Sequence, residues 1–220
     1  MGGPREPGHS VGMSRASACR AGTRLLRGGL HGLVALIWPG PCIVCGAALP
    51  GSLRNPVCPS CWAALPARVG PGCPRCDLPG EVGFPEGVCA DCARLARDRA
   101  LAVDTLKAAL IYRDGAVTVH RQLKLAGADA LVAPLARRMA ICWSVRGPWA
   151  PDVLVPVPPD PLRLGPRRRV PHLLARGVAA ALDVPLAAGV VRKRRPTRPQ
   201  SRRRGPERLR ALRGAFAAKA

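Results

Sequence analysis

Aromatic side chains are scarce in this chain, which has four Trp, two Phe and one Tyr among its 220 residues. Phe216 is the only aromatic residue between positions 161 and 220. That region therefore lacks the aromatic rings on which proteins commonly stack single-stranded bases. Acidic side chains are scarce as well, with 13 Asp and Glu against 35 Lys and Arg. The resulting net charge of +22 repels itself and favours an anionic partner.

Long apolar runs are also missing. The apolar stretch from Leu33 to Trp38 is far shorter than the roughly 20 residues that span a bilayer. No A-x-A-like cleavage site precedes Pro39, which favours an amphipathic helix over a secretory signal. We therefore expect a cytoplasmic protein without a membrane span. Residues 1–24 are predicted to be a disordered extension and residues 25–40 an amphipathic helix, because apolar residues recur there at helical spacing.

Cysteine, in contrast, is abundant, and eight of the ten cysteines form four C-x-x-C pairs. The spacing C-x-x-C-x(12)-C-x-x-C occurs twice, so the segment is a duplicated unit. A disulfide framework would need an oxidising compartment, and a thioredoxin-like redox pair would need a single C-x-x-C in a βαβ context. Four pairs at nearly equal spacing favour zinc over both. The predicted ligands are Cys42, Cys45, Cys58, Cys61, Cys73, Cys76, Cys89 and Cys92.

Eight thiolates at four per ion predict two structural Zn²⁺, since four protein ligands leave no position open for water. Joining the first pair to the second and the third to the fourth fits the duplication, and a crossed pairing of the first with the third stays open. Cys19 and Cys142 lie outside the pattern. The double ribbon is predicted over residues 41–93.

Beyond Cys92 the pattern predicts alternating strands and helices, which is typical of α/β layering. Residues 94–101 are predicted to be a short connector. A strand is expected over Leu106–Tyr112 and a buried parallel strand over Asp152–Val157. The expected helices are Val117–Leu125, ending near Gly127, then Asp129–Trp143 with Asp129 as its cap, and Pro171–Leu182.

Together with the four C-x-x-C pairs, five later segments occur in the order found in one known family. They are Leu110–Gly115, His120–Lys124, Asp152–Pro158, Thr197–Gln200 and Arg213–Phe216. On these residues the chain resembles the ComF competence-protein family over about positions 33 to 216. The resemblance implies a small zinc-ribbon domain followed by an α/β domain of the type I phosphoribosyltransferase kind, and a role in uptake of single-stranded DNA.

The chain departs from this family at three places. Arg169-Val170-Pro171-His172 stands where the family has Arg-Gly-Phe/Tyr-Asn-Gln, and Leu209-Arg210-Ala211 stands where it has Arg-Arg-Asn. No two acidic residues are adjacent anywhere in the chain, so the family's acidic pair and the Thr/Gly-rich phosphate loop after it are absent. We therefore expect residues 94–220 to form an incomplete, truncated phosphoribosyltransferase-like domain that is catalytically inactive and does not bind phosphoribosyl pyrophosphate, with its last thirty residues poorly ordered.

The positive charge lies mainly in this last part, because residues 161–220 hold seventeen basic and two acidic side chains. Two arginine runs are predicted to contact phosphate or nucleic acid, with single-stranded DNA or the competence machinery as partner. They are Arg167, Arg168, Arg169 and Arg202, Arg203, Arg204. A solvated basic surface is the alternative interpretation of these runs. For the whole chain, an active phosphoribosyltransferase in a longer gene product and a non-functional gene remnant remain the alternatives.

Overall fold

The computed structural model describes residues 40–49, 55–80, 84, 87–97, 103–162, 166–197 and 205–219. The predicted extension 1–24, and the predicted helix 25–40 apart from its last residue, lie outside this part of the chain. The helices are α1 (Pro59–Ala63), α2 (Ala90–Arg97), α3 (Gly115–Arg121), α4 (Val132–Arg146), α5 (Pro166–Leu182) and α6 (Gly205–Leu212). The strands are β1 (Val191–Lys193) and β2 (Phe216–Ala218).

Two cysteine-containing units with the same backbone plan form the N-terminal region. We call residues 40–63 ribbon 1 and residues 71–97 ribbon 2. In each unit the first cysteine donates its N–H to the carbonyl five residues later, and the residue four places on donates back to that cysteine, at 2.8 to 2.9 Å. One antiparallel bridge flanks each turn, between Pro41 and Ala48 and between Gly72 and Pro79. The predicted sequence duplication is therefore a structural duplication.

Helices α3, α4 and α5 form what we call the helical body. The helix α3 continues as a π-helical turn over Gln122–Ala126 and stops at Gly127, whose φ of 70° is left-handed. Glycine adopts this conformation without a Cβ clash, so the predicted helix end near Gly127 is confirmed. The helices α4 and α5 pack closely at one point, where a Cβ on Gly177 would lie 2.6 Å from the Cβ of Ala136.

Asp129 does not cap a helix as predicted. It opens a 3₁₀ turn over Asp129–Leu131 that precedes α4, and no side-chain capping bond is formed there. Its carboxylate instead pairs with Arg169 at 2.8 Å. The helix α5 begins at Pro166, five residues before the predicted start at Pro171. Proline is tolerated near a helix N-terminus, and both prolines fit that rule, so the rule alone did not identify the first residue of the helix.

Both predicted strands of the α/β layer are wrong in extent. Leu110 makes a single antiparallel bridge with Ala67, and Leu154 makes a single parallel bridge with Leu186. Val153 and Val157 are 46% and 67% exposed, so the run over Asp152–Val157 is not buried. Its Pro156 lacks the N–H that a ladder requires. The apolar composition reflected half-burial against α4 and α5, where Leu154 packs on Val178 and its neighbours.

The connector predicted over residues 94–101 is also partly helical, since α2 extends to Arg97. The last thirty residues are not uniformly irregular, because α6, β1 and β2 lie within them. The strands β1 and β2 pair antiparallel with Arg192 opposite Ala217. The described residues thus comprise a ribbon region with two cysteine groups, followed by a mostly helical region with a small sheet.

Candidate metal centres

The structure gathers the eight predicted ligands into two groups of four sulfurs. In each group all four Sγ atoms lie within 4.8 Å of one another. The groups follow the sequence order, so the crossed pairing does not occur. The first group is Cys42, Cys45, Cys58 and Cys61, and the second is Cys73, Cys76, Cys89 and Cys92.

The sulfur spacing fits a tetrahedral zinc ion. A Zn–S distance of about 2.3 Å gives a tetrahedron whose edge is about 3.8 Å. The Sγ atoms of Cys45 and Cys58 lie 3.9 Å apart, and those of Cys76 and Cys89 lie 3.6 Å apart. A disulfide would bring two sulfurs to about 2.0 Å. All cysteines in the described part of the chain are free thiols, which is inconsistent with the disulfide alternative.

Short turns and helix starts bring the sulfurs together. Cys58 stands immediately before α1, where its sulfur accepts the Cys61 N–H at 3.4 Å. Pro59 suits the first position of this helix because its missing N–H would have no partner there. The N–H groups of Cys58 and Cys89 donate to the sulfurs of Cys42 and Cys73, each at 3.4 Å. Such N–H···S bonds stabilise the thiolate form that zinc requires.

The first cysteine of each group ionises readily. Burial opposes ionisation of Cys42 and Cys73, but backbone N–H groups, first those of Cys45 and Cys76, outweigh it and lower both pKa values to about 6. The equal values in the two repeats follow from their equivalent backbone hydrogen bonds.

The last cysteine of each group resists ionisation. The neighbouring sulfur of Cys58 raises the pKa of Cys61 to about 12. Burial, followed by the neighbouring sulfurs, raises the pKa of Cys92 to about 12. Four adjacent thiolates therefore need a compensating cation, and a divalent ion at the centre of each group supplies it.

Ribbon 1 joins the main apolar core. Cys42 and Val57 are buried in the cluster that contains Val119, Leu123 and Leu131 of the helical region. Arg138 of α4 adds a polar contact, donating to the Trp62 carbonyl at 2.5 Å and lying over the indole ring at 5.9 Å. Metal binding at ribbon 1 is thus built into the core of the molecule.

Ribbon 2 has a small apolar cluster of its own. Cys73, Cys89 and Cys92 are buried there, with Phe84 and Val88 packed against them. Polar groups join this ribbon to the rest of the chain. Leu106 donates its N–H to the Arg75 carbonyl at 2.6 Å, and Asp77 pairs with Arg146 of α4.

Sequence reasoning missed this polar junction. Arg68 and Asp77 are 3% and 4% exposed, which is rare for charged residues and requires partners. A signal was present in the duplication, because a shift of 31 residues places Asp77 opposite Gly46. Where one repeat has a turn glycine and the other has a charged residue at the aligned position, the charged residue is a candidate for an interaction outside its own turn.

The predicted phosphate contacts are only partly within the described residues. Arg167 and Arg168 belong to the first turn of α5. Arg169 is exposed but already paired with Asp129. Arg202, Arg203 and Arg204 lie outside the described part of the chain. Of the two predicted runs, the structure therefore places only the Arg169 side chain, and it places that side chain in an ion pair.

One lysine of the basic C-terminal segment turns inward. Lys193 on β1 contacts Asp160 at 2.5 Å and Thr197 at 2.6 Å, and both charged side chains are less than one-tenth exposed. The hydrogen bond from Lys193 lowers the pKa of Asp160 to about 2. This ion pair ties β1 to the loop after residue 157, and Arg192 and Arg194 remain exposed to solvent.

Two closed groups of four thiolates on duplicated ribbons define a double zinc ribbon with two structural zinc ions. The family model of the double zinc ribbon domain matches residues 33–93 of this chain. That match does not reach residues 94–220, so their phosphoribosyltransferase-like fold stays a prediction. Neither curated proteins nor solved structures gave a significant match. Among the described helices, none has the length and apolar character needed to cross a membrane.

Proposed function

We propose that this chain is a ComF-type protein of DNA uptake in which two structural zinc ions stabilise the fold of a phosphate-binding polypeptide. The observation that carries the proposal is the pair of closed four-sulfur groups. Each uses all four tetrahedral positions, so its zinc acts as a cross-link and not as a Lewis acid for a substrate.

The charge distribution supports nucleic acid as the partner. Residues 161–220 carry a net charge of +15, whereas residues 42–92 carry −1 before metal binding. Arg192 on β1 and Arg194, which directly follows the strand, are exposed, and Lys193 between them faces inward. The Arg194 N–H still donates to the Ala215 carbonyl at 2.8 Å, and alternate residues of an extended chain share one face, so we assign the two guanidinium groups to the same side. We assign phosphate binding to this face, in addition to the predicted run Arg202–Arg204.

We extend the proposal to the helical region as an inactive phosphoribosyltransferase-like domain. Its support is the resemblance of the segments described above and the parallel bridge between Leu154 and Leu186. Because the chain has no adjacent acidic pair to bind ribose hydroxyls, we expect no pyrophosphate-dependent turnover. Release of pyrophosphate from phosphoribosyl pyrophosphate by the purified protein would contradict this part of the proposal.

The test measures binding of a fluorescent single-stranded oligonucleotide to the zinc-loaded protein by fluorescence anisotropy at several salt concentrations. We expect affinity to fall steeply with salt. The double variant Arg192→Gln and Arg194→Gln removes two phosphate contacts, so the magnitude of the slope of log affinity against log salt should decrease by about 1.4. Replacing Arg202, Arg203 and Arg204 by Gln should reduce the magnitude of this slope further.

The matched control removes two exposed arginines from the helical body, by Arg121→Gln and Arg137→Gln. These substitutions change the net charge equally but lie away from β1 in the chain. An equal loss of affinity in the control would show that total charge, and not the β1 face, determines binding. No retention of the oligonucleotide at low salt would contradict the DNA-binding function itself.

A further inference from the structure

Asp77 occupies an unusual place beside the second zinc site. It directly follows the ligand Cys76 and has a φ of 62°, in the left-handed region that residues other than glycine seldom adopt. At the equivalent position after Cys45, ribbon 1 has Gly46 with a φ of 76°. Ribbon 2 therefore keeps a charged residue in a turn where its own duplicate uses glycine, and the side chain must compensate.

The Asp77 carboxylate joins three parts of the chain. One oxygen accepts a hydrogen bond from Arg146 of α4 and lies 3.4 Å from the Arg68 guanidinium. The other oxygen accepts the Ala108 N–H at 2.9 Å. Arg146 also donates to the carbonyls of Arg68 and Ala108, at 2.8 and 3.3 Å. The turn that carries a zinc ligand is thus bonded directly to the helical body.

Arg68 fixes the other side of this junction. Its side chain is 2% exposed and donates to the carbonyls of Asp77, Gly70 and Pro71 at 2.9 to 3.0 Å. Gly72 leaves the space that this guanidinium fills, since a Cβ there would lie 1.8 Å from Nη2 of Arg68. The arginine therefore belongs to the packed structure and is not a surface cation.

The junction also has a charge imbalance. Two guanidinium groups surround one carboxylate, so the buried group carries an excess of one positive charge. A zinc ion with four thiolates carries −2, and cations near such a site lower the cost of keeping all four sulfurs ionised. Ribbon 1 has no equivalent buried carboxylate among the described residues.

We propose that Asp77 and Arg146 are positioning residues of the second zinc site, which couple metal binding in ribbon 2 to docking of that ribbon on α4. Zinc orders the turn that presents the Asp77 carboxylate, and the docked arginine in turn favours the metal-bound turn. Such coupling is reciprocal by thermodynamic linkage, so docking strengthens the second metal site by the same factor by which zinc strengthens docking.

The experiment compares Arg146→Met with the control Arg137→Met in the full-length protein carrying two zinc ions. Arg137 is an exposed residue of the same helix, and its substitution makes the same change in charge. A chelator is titrated into each protein, and the release of each site is followed by alkylation of its own cysteines and peptide mapping. We expect Arg146→Met to weaken the second site about tenfold and the first site less than twofold. Arg137→Met should change neither site.

The variant Asp77→Gly distinguishes the effect of the carboxylate on zinc affinity from the effect of the left-handed backbone. Glycine removes the left-handed strain and restores the residue that ribbon 1 uses, so local effects alone would strengthen the second site. We expect it to be weakened instead, by about tenfold, with little further loss when Arg146→Met is added. Unchanged or tighter zinc binding in Asp77→Gly would overturn the proposal, as would equal effects of Arg146→Met on both sites.

Hydrogen exchange provides a readout that does not depend on the chelator. In the unaltered protein, filling the second site should slow exchange of the Ala108 amide and of the last turn of α4. In Arg146→Met this protection should be lost while protection around ribbon 1 persists. If Asp77→Gly or Arg146→Met fails to fold, Arg146→Lys, which keeps the charge but only part of the hydrogen bonding, should give an intermediate affinity. An affinity for Arg146→Lys equal to that of the unaltered protein would overturn the role of the bonded guanidinium.

Discussion

Ribbon 1 and ribbon 2 share their backbone hydrogen bonds and their sulfur geometry, yet they contact the helical body through different forces. Ribbon 1 buries Cys42 and Val57 in the main core, while ribbon 2 keeps a separate apolar cluster and attaches through buried charges. The difference shows that a duplicated metal site can retain its chemistry while each copy acquires its own means of packing.

The largest difference between the ribbons is expected when one ligand of each is removed. Cys42→Ser and Cys73→Ser should each lower the zinc content from two ions to one. Structural zinc contributes on the order of 10 kcal/mol to small zinc-finger peptides, and at ribbon 1 this stabilisation extends to the main core. Cys42→Ser should therefore unfold the helical body as well, whereas Cys73→Ser should release ribbon 2 alone.

Zinc analysis together with hydrogen exchange over residues 115–142, which leave out the last turn of α4, checks this result. Fast exchange of these amides in Cys42→Ser, and near-normal exchange in Cys73→Ser, is the expected outcome. If the two variants exchange alike, the helical body does not depend on ribbon 1 more than on ribbon 2, and the comparison fails.

Core truncation should reproduce the same order with smaller effects. Val57 is fully buried, and Val57→Ala should lower the free energy of unfolding by about 2 kcal/mol. Val88, the equivalent residue of ribbon 2, is half-buried, and Val88→Ala should cost about 1 kcal/mol. Denaturant unfolding of the zinc-loaded proteins measures both, and a larger loss for Val88→Ala would reverse the assignment of the main core to ribbon 1.

The turn glycine of ribbon 1 offers a finer comparison with Asp77. No atom lies within 4 Å of a Cβ placed on Gly46, so a substitution there meets only the cost of its left-handed backbone. Gly46→Ala should destabilise the protein by about 1 kcal/mol, and Gly46→Asp by less, because Asp adopts this conformation more readily. Thermal unfolding checks the order. Equal losses would mean that Asp77 gains nothing from its residue type in the turn.

The smallest difference is expected in an acid titration of zinc. Zinc binds thiolates, so protons compete with the metal first at Cys61 and Cys92, whose pKa is about 12. The competition is complete only below the pKa of about 6 that Cys42 and Cys73 share. Affinity should therefore decrease with falling pH at both sites and over the same range. Zinc release followed with a metal indicator checks this, and two steps separated by more than one pH unit would show that the surroundings of the ribbons, and not the N–H···S bonds, control ionisation.

The zinc centres were predictable from the sequence because ligand type and spacing determine a tetrahedral site almost by themselves. The end at Gly127 of the helical segment that continues α3 was also predictable, since a local backbone requirement fixes it. The strand predicted over Asp152–Val157 failed because an apolar run does not reveal how many sides are covered. The buried ion pair of Lys193 was not predicted either, because its partner Asp160 is 33 residues away in the chain. Distant partners of this kind leave no local signal.

The helix α4 has a further consequence for the geometry of the metal centres. Arg138 contacts ribbon 1 and Arg146 contacts ribbon 2, and eight residues of helix place their Cα atoms about 12 Å apart along the axis and about 80° apart around it. The number of helical residues between these arginines therefore sets the spacing of the points where the two ribbons contact α4. Inserting a single residue between these arginines would rotate one of them by about 100° around the axis, so that only one ribbon at a time meets its partner.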